Sequence, residues 1–200
     1  MQLVQAINLH PTQVAIFKME SDLSELLKDI YAVKESTSHS VYNKTISNLG
    51  GWQNHFPVIN TEKHRKIVEE QNKCIEEYLK VFQFNSVKYT KINSWVNVNK
   101  GADHNLLHAH GGSEISCCLY IKLPTDSDSG VFEIEDKKDL SMLKRDHEIC
   151  RAYDTYSILP EEGNLIVFPS WMKHRVMPTY SEQDRVSLAS NYRVELLPDE

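Results

Sequence analysis

The chain has little of what marks several whole classes of protein. No apolar run comes near the ~20 residues that a bilayer-spanning helix needs, so no membrane role is expected. The opening stretch MQLVQAINLHP has neither a basic region nor a long apolar one. A secretory leader is therefore not expected, and the cytoplasm is the expected location. Positive charge is in deficit: 22 Lys and Arg stand against 28 Asp and Glu, giving a net charge of −6 with His neutral. Such a chain has no bulk attraction to phosphate backbones, which argues against nucleic acid as a partner. A small anion can still bind at a local positive spot. Cysteine is sparse too. Cys74, Cys117, Cys118 and Cys150 lack zinc-ribbon spacing, and they read as reduced thiols of a cytosolic protein. Cys117 and Cys118 fall in an expected strand and should point to opposite faces. There is no internal repeat, no low-complexity tract and no linker.

What remains is an ordinary globular composition, 40% hydrophobic and 25% charged, long enough for one domain with a real core. The expectation is a single domain over residues 1–200, with helical support and substrate-side loops in 1–85 and a β core in 86–200. Leu23, Leu26, Leu27, Ile30 and Tyr31 fall at helical spacing, with Ser21 as a candidate N-cap. Ser47 to Trp52 reads as a loop. A second helix is expected after Pro57, capped by Thr61, with Ile67, Cys74, Ile75, Tyr78, Leu79 and Phe82 on its buried stripe. From Ser86 on, short runs rich in β-branched and aromatic residues alternate with turn signals. Strands are expected over 87–99, 115–123, 131–135, 165–168, 174–178 and 186–194. The stretch Asp136 to Ser157 is ambiguous. Helices followed by many short strands predict a mainly β fold with flanking α-helices, a jelly roll.

Nine histidines are present, and most are scattered. His108 and His110 are not: in a strand, residues i and i+2 share a face, so two imidazoles can bite one metal ion. His174 follows an apolar strand that ends at Pro169-Ser170-Trp171. In a jelly roll, distant strands meet across the barrel mouth. A near pair plus one remote His gives a three-ligand site with open positions, as oxygen chemistry requires. Arg185 and Ser187 would share one face of the last strand. The guanidinium fork matches a carboxylate, and the hydroxyl adds a donor. A dicarboxylate chelating the metal at one end could be gripped by Arg185 at the other. The bland reading pairs Arg185 with Asp184 or Glu182 at the surface.

Taken together, Trp95-x-Asn97, His108-x-His110, Ser116 to Tyr120, Gly163 with Pro169-Ser170-Trp171 and His174, and Arg185-x-Ser187 with Asn191 resemble the 2-oxoglutarate/Fe(II) oxygenases of bacteria and their phages. These are distant relatives of prolyl 4-hydroxylases. The segment Asn48-x-Gly50-Gly51-Trp52 is similar to that family as well. The resemblance implies a double-stranded β-helix with iron at its open end and Fe(II) and 2-oxoglutarate as cofactors. It places His108 and His174 at the two metal histidines and Arg185 on the far carboxylate of 2-oxoglutarate. It puts Tyr120 on that same carboxylate, with Asn97 and Phe132 lining the pocket. The implied reaction hydroxylates a C–H bond of a peptidyl or free amino-acid-like substrate with release of succinate and CO2. A small-molecule or peptidyl partner follows, and a homodimer is compatible with it. The chain departs from the usual pattern at one slot, where relatives carry Asp or Glu and this sequence has His110.

Two other readings stay open. In a cupin, His108, His110, Glu114 and His174 would be four protein ligands, with no use for 2-oxoglutarate. Arg185-x-Ser187 is then unexplained. A non-catalytic jelly roll would bind no metal at all.

Overall fold

The computed structural model describes residues 12–37, 47–55, 59, 61–81, 87–127, 130–135 and 155–197. Two antiparallel sheets stand face to face. The first contains β1 (Ala15–Lys18), β3 (Trp52–Asn54), β4 (Val87–Asn99), β6 (Ile115–Lys122), β9 (Asn164–Pro169) and β11 (Arg185–Leu196), in the order β1-β9-β6-β11-β4-β3. The second contains β2 (Asn48–Leu49), β5 (His104–His108), β7 (Phe132–Glu135), β8 (Thr155–Ile158) and β10 (His174–Val176), in the order β2-β5-β10-β7-β8. The expected jelly roll is the fold found.

Alternation along the strands splits the apolar residues into two cores. One face of the larger sheet presents Val96, Val98, Cys117, Leu119, Leu165, Val167, Val186 and Leu188 to the helices. Against it lie α1 (Ser24–Ser36) and α2 (Arg65–Val81), through buried Leu26, Ile30, Ile67, Ile75, Tyr78 and Leu79. The other face looks between the sheets, where Tyr120, Phe132, Ile134, Ile158, Ile166, Phe168 and Met172 form the second cluster. Cys117 belongs to the first core and Cys118 packs on the second, so the adjacent thiols do point opposite ways. Cys74, Cys117 and Cys118 are free. Cys150 and Phe82 lie outside the described residues.

Several boundaries differ from the sequence reading. Ser21 does not cap α1. The helix starts at Ser24 with Leu23 in the cap position and no side-chain cap, while the Ser21 N–H donates to Glu70 Oε2 at 3.0 Å. The stronger local acceptor is Asp22, whose carboxylate takes both the N–H and the hydroxyl of Ser24 at 2.9 Å. Thr61 sits in a turn upstream of α2, which begins at Arg65. The 47–52 loop is a Gly50-Gly51 corner, with φ of 72° and 65°, that carries the chain from β2 in one sheet to β3 in the other. Both positions need glycine, because L side chains rarely adopt positive φ. Of the ambiguous 136–157 stretch, residues 155–157 belong to β8 and 136–154 lie outside the described residues.

Candidate metal centre

His174 opens β10, and its cross-strand partner is His108, the last residue of β5. That register sets two imidazoles side by side, ring centroids 4.3 Å apart. His110 arrives differently from the expected strand alternation. β5 stops at His108, and His110 is held in the following loop by its N–H donating to Ser170 O at 2.9 Å. Its ring still comes to 5.1 Å from His108 and 4.9 Å from His174. The three potential ligand atoms lie within 4.8 Å of one another, the one such His, Cys, Asp and Glu group among the described residues.

The outer nitrogens fix the tautomers. His108 Nδ1 donates to Leu106 O at 2.7 Å, and His174 Nδ1 donates to Met172 O at 2.9 Å. His110 Nδ1 donates to Asn191 Oδ1 at 2.7 Å, with Ser116 Oγ 2.8 Å away. Carbonyl and amide oxygens only accept, so each Nδ1 carries the proton and each Nε2 is left as a bare lone pair. Two of these lone pairs, on His108 and His110, face each other at 3.2 Å with no proton of their own between them. Burial reinforces this. It pushes His174 down to about 3 and His110 down to about 4, and it lowers His108, so all three rings are neutral near pH 7. Three neutral donors aimed at one point, each locked by a hydrogen bond on its far side, is the arrangement a divalent transition metal uses. The donor set therefore fits Fe(II). Phe168 and Phe132 wall the site, with ring centroids 4.7 and 5.3 Å from His174.

The start of β11 carries a second unsatisfied feature. Arg185 is only 2% exposed, yet among the described residues it has no carboxylate partner. Its Nη1 donates to Met177 O at 2.9 Å. The bland reading fails here, because Asp184 accepts from the Tyr31 hydroxyl at 2.9 Å and Glu182 is drawn to Lys100. Ser187 lies two residues along the same strand face and pairs across to Tyr120 on β6 and to Asn97 on β4. The Tyr120 hydroxyl is buried without a hydrogen bond, with the Cys118 thiol beside it. Asn97 is buried and accepts from Gln53 Nε2 at 2.9 Å. A buried guanidinium with no carboxylate in contact among the described residues, where Asp103 acts only from a distance, and an unpaired phenol on one inner face call for an anion with several acceptor oxygens. The far carboxylate of 2-oxoglutarate has that chemistry.

Glu114 is elsewhere. Its Oε2 accepts the Val194 N–H at 2.8 Å and its own N–H donates to Tyr192 O, which fastens it to β11. The four-ligand cupin set is not assembled. Asn191, Ser116 and Ser170, which surround His110, were not anticipated as site residues. A signal existed for Asn191: it lies at an even spacing from Arg185 and so shares the inner strand face.

Comparison with known proteins agrees with the geometry. The sequence profile of the family described as "Putative 2OG-Fe(II) oxygenase" matches residues 93–191, a span that contains all three histidines and Arg185. Fe(II) and 2-oxoglutarate are the cofactors of that family. No curated protein matches the sequence. Among solved structures, the chain is similar to a prolyl-4-hydroxylase of Pseudomonas putida, at 14% identity over 91% of this chain and 92% of that one, with a TM-score of 0.60. The viral collagen prolyl hydroxylase of Paramecium bursaria Chlorella virus-1, in complex with 2OG, gives 17% identity over 90% and 94%, with a TM-score of 0.56. A Trichoplax adhaerens prolyl hydroxylase bound to a hypoxia inducible factor peptide fragment gives 13% identity over 90% and 83%, with a TM-score of 0.59. At these identities the likeness is one of fold. No helix among the described residues is long and apolar enough to cross a membrane.

Proposed function

We propose that this chain, a member of the 2OG-Fe(II) oxygenase family through residues 93–191, hydroxylates a C–H bond of a peptidyl or free amino-acid-like substrate. His108, His110 and His174 hold Fe(II). Arg185, Ser187 and Tyr120 hold the far carboxylate of 2-oxoglutarate, with Asn97 and Phe132 lining its pocket. The observation that carries this reading is the pair of facing Nε2 lone pairs at 3.2 Å, which repel unless a cation lies between them. With O2, the bound cofactors supply an oxidant for the substrate C–H bond while 2-oxoglutarate becomes succinate and CO2.

The chain's own residues bind, orient and exclude water. Leu106 O, Met172 O and Asn191 Oδ1 keep the three lone pairs turned inward. Arg185 is desolvated before the cosubstrate arrives, so its fork is preorganised rather than recruited from solvent. Phe132 and Phe168 keep the site apolar on one side and strengthen the charge interactions within it. All of residues 1–200 are taken as one domain, acting in the cytoplasm. The substrate class rests on the prolyl hydroxylase fold alone.

The test mixes the Fe(II)- and 2-oxoglutarate-loaded protein with O2 and a panel of peptides and free amino acids. Succinate release and a mass gain of one oxygen on the substrate are read together. Both should require His174 and Arg185. Succinate formed at the wild-type rate by His174→Ala and Arg185→Ala would sink the assignment.

A further inference from the structure

His110 differs from its two companions in what stands behind it. His108 and His174 are each locked by a main-chain carbonyl two residues upstream, a partner that no side-chain change can remove. The partner of His110 is a side chain, Asn191 Oδ1 at 2.7 Å. Asn191 and Ser116 are direct cross-strand neighbours on β11 and β6. Ser116 Oγ donates to the same Asn191 oxygen at 2.8 Å and lies 2.7 Å from Ser170 Oγ, which in turn accepts from Ser113 Oγ at 2.9 Å. Ser116, Ser170 and Asn191 are buried, at 0%, 0% and 7% exposure. The hydroxyl donations can all run one way, from Ser113 through Ser170 and Ser116 to the Asn191 oxygen. In that sense each bond polarises the next, and the Ser116 hydroxyl, made a stronger donor, pins the amide oxygen in place against the His110 Nδ1–H.

We propose that Asn191, backed by the Ser113–Ser170–Ser116 hydroxyl chain, is the positioning residue that makes a loop histidine serve as the third metal ligand. This rests on the reading of the three histidines as metal ligands. β5 has ended before His110, so strand geometry does not aim its ring. The amide oxygen sets both the ring's rotation and its tautomer. It does so without a charge of its own, where an aspartate would add one. The site thus keeps three neutral ligands and the full charge of the metal for a dianionic cosubstrate. A hydrogen-bond partner behind a metal-binding imidazole is worth about 10- to 100-fold in metal affinity.

Co(II), bound anaerobically to the full chain, is the probe. Proton spectra of the cobalt form in H2O and D2O report hyperfine-shifted exchangeable signals from each ligand's Nδ1–H. Wild type should show three. Asn191→Ala should lose one of them to exchange and bind Co(II) about 10- to 100-fold more weakly, with the metal-free melting temperature as a control on the fold. Asn191→Asp keeps the acceptor, so it should retain three signals and bind Co(II) at least as tightly as wild type. It should also bind 2-oxoglutarate more weakly, because it adds a negative charge. Ser116→Ala leaves Asn191 in place and should retain three signals with a smaller loss. Three signals and wild-type affinity in Asn191→Ala would overturn the role of Asn191 while leaving the metal site standing. An Asn191→Asp as weak as Asn191→Ala would overturn it too. A wild-type protein with no bound Co(II), or with two exchangeable signals, would remove the three-histidine site and this inference with it.

Discussion

Replacing Tyr120 by Phe should move two properties in opposite directions. In the folded chain the phenol oxygen is buried, at 1% residue exposure, and has no hydrogen bond. Burial pushes its pKa well above the ordinary value, so it stays a neutral donor. A buried hydroxyl without a partner costs about 1–3 kcal/mol, and deleting it leaves the ring's packing intact. The Cys118 thiol beside it is a weak partner, so the lower end applies. A gain of about 1 kcal/mol raises the melting temperature of a chain this size by roughly 2–4 °C. The cosubstrate should respond in the other sense. A hydrogen bond from Tyr120 to a carboxylate contributes about 1.5–3 kcal/mol, so 2-oxoglutarate should bind about 10- to 150-fold more weakly. Scanning calorimetry of the metal-free protein and anaerobic isothermal titration of the iron form measure the two effects. A fall in melting temperature would mean that the hydroxyl already has a partner in the fold. Unchanged 2-oxoglutarate affinity would mean that it does not face the cosubstrate.

Arg185→Ala should weaken 2-oxoglutarate binding by about 30-fold or more, since truncating one side of a desolvated charge pair costs about 2–5 kcal/mol. Arg185→Lys should recover only part of that, and equilibrium dialysis should find iron retained in both. Glu114→Ala should leave iron affinity unchanged, because its carboxylate is engaged by Val194 N–H. His110→Ala should lose iron affinity, and a tolerated His110→Ala beside a damaging Glu114→Ala would reverse the ligand assignment. Gly130→Ala should impair 2-oxoglutarate binding from outside the metal site. The glycine sits at φ 85°, and a Cβ there would lie 2.9 Å from Thr179 Cγ2 and 3.3 Å from Arg185 Nη1. A Gly130→Ala protein with wild-type 2-oxoglutarate affinity would show that the fork has room to move.

Much of this was legible in the chain, for reasons that differ by element. The long strands β4 and β11 and the stripe of α2 stand out because alternation and helical spacing act over many residues. Short pieces such as β1 and β3 carry too few residues for a pattern, and their pairing is a tertiary matter. Ser21 failed as a cap because the helix starts later, with Leu23 at the cap position, and the neighbouring Asp22 carboxylate takes the Ser24 N–H and hydroxyl. The histidines and Arg185 stand out in the sequence because metal and carboxylate chemistry uses those residue types together. The reason His110 joins them could not be read locally. A strand should have carried both His108 and His110, but the strand ends first, and a long-range contact with Ser170 O and Asn191 does the aiming. Glu114, the alternative ligand at cupin spacing, is instead engaged by the Val194 N–H of β11, a long-range contact that local spacing does not reveal.

One pocket should hold a metal through three neutral histidines and an anion through Arg185, and the two should bind as a coupled pair. Anaerobic titration of 2-oxoglutarate into the protein with and without Fe(II) tests it most directly, read by calorimetry and by the weak visible charge-transfer absorption of a chelated 2-oxo acid. The account predicts markedly tighter 2-oxoglutarate binding with Fe(II) present, together with that absorption, and the loss of both in His174→Ala. Equal affinity with and without iron, and no absorption, would contradict it.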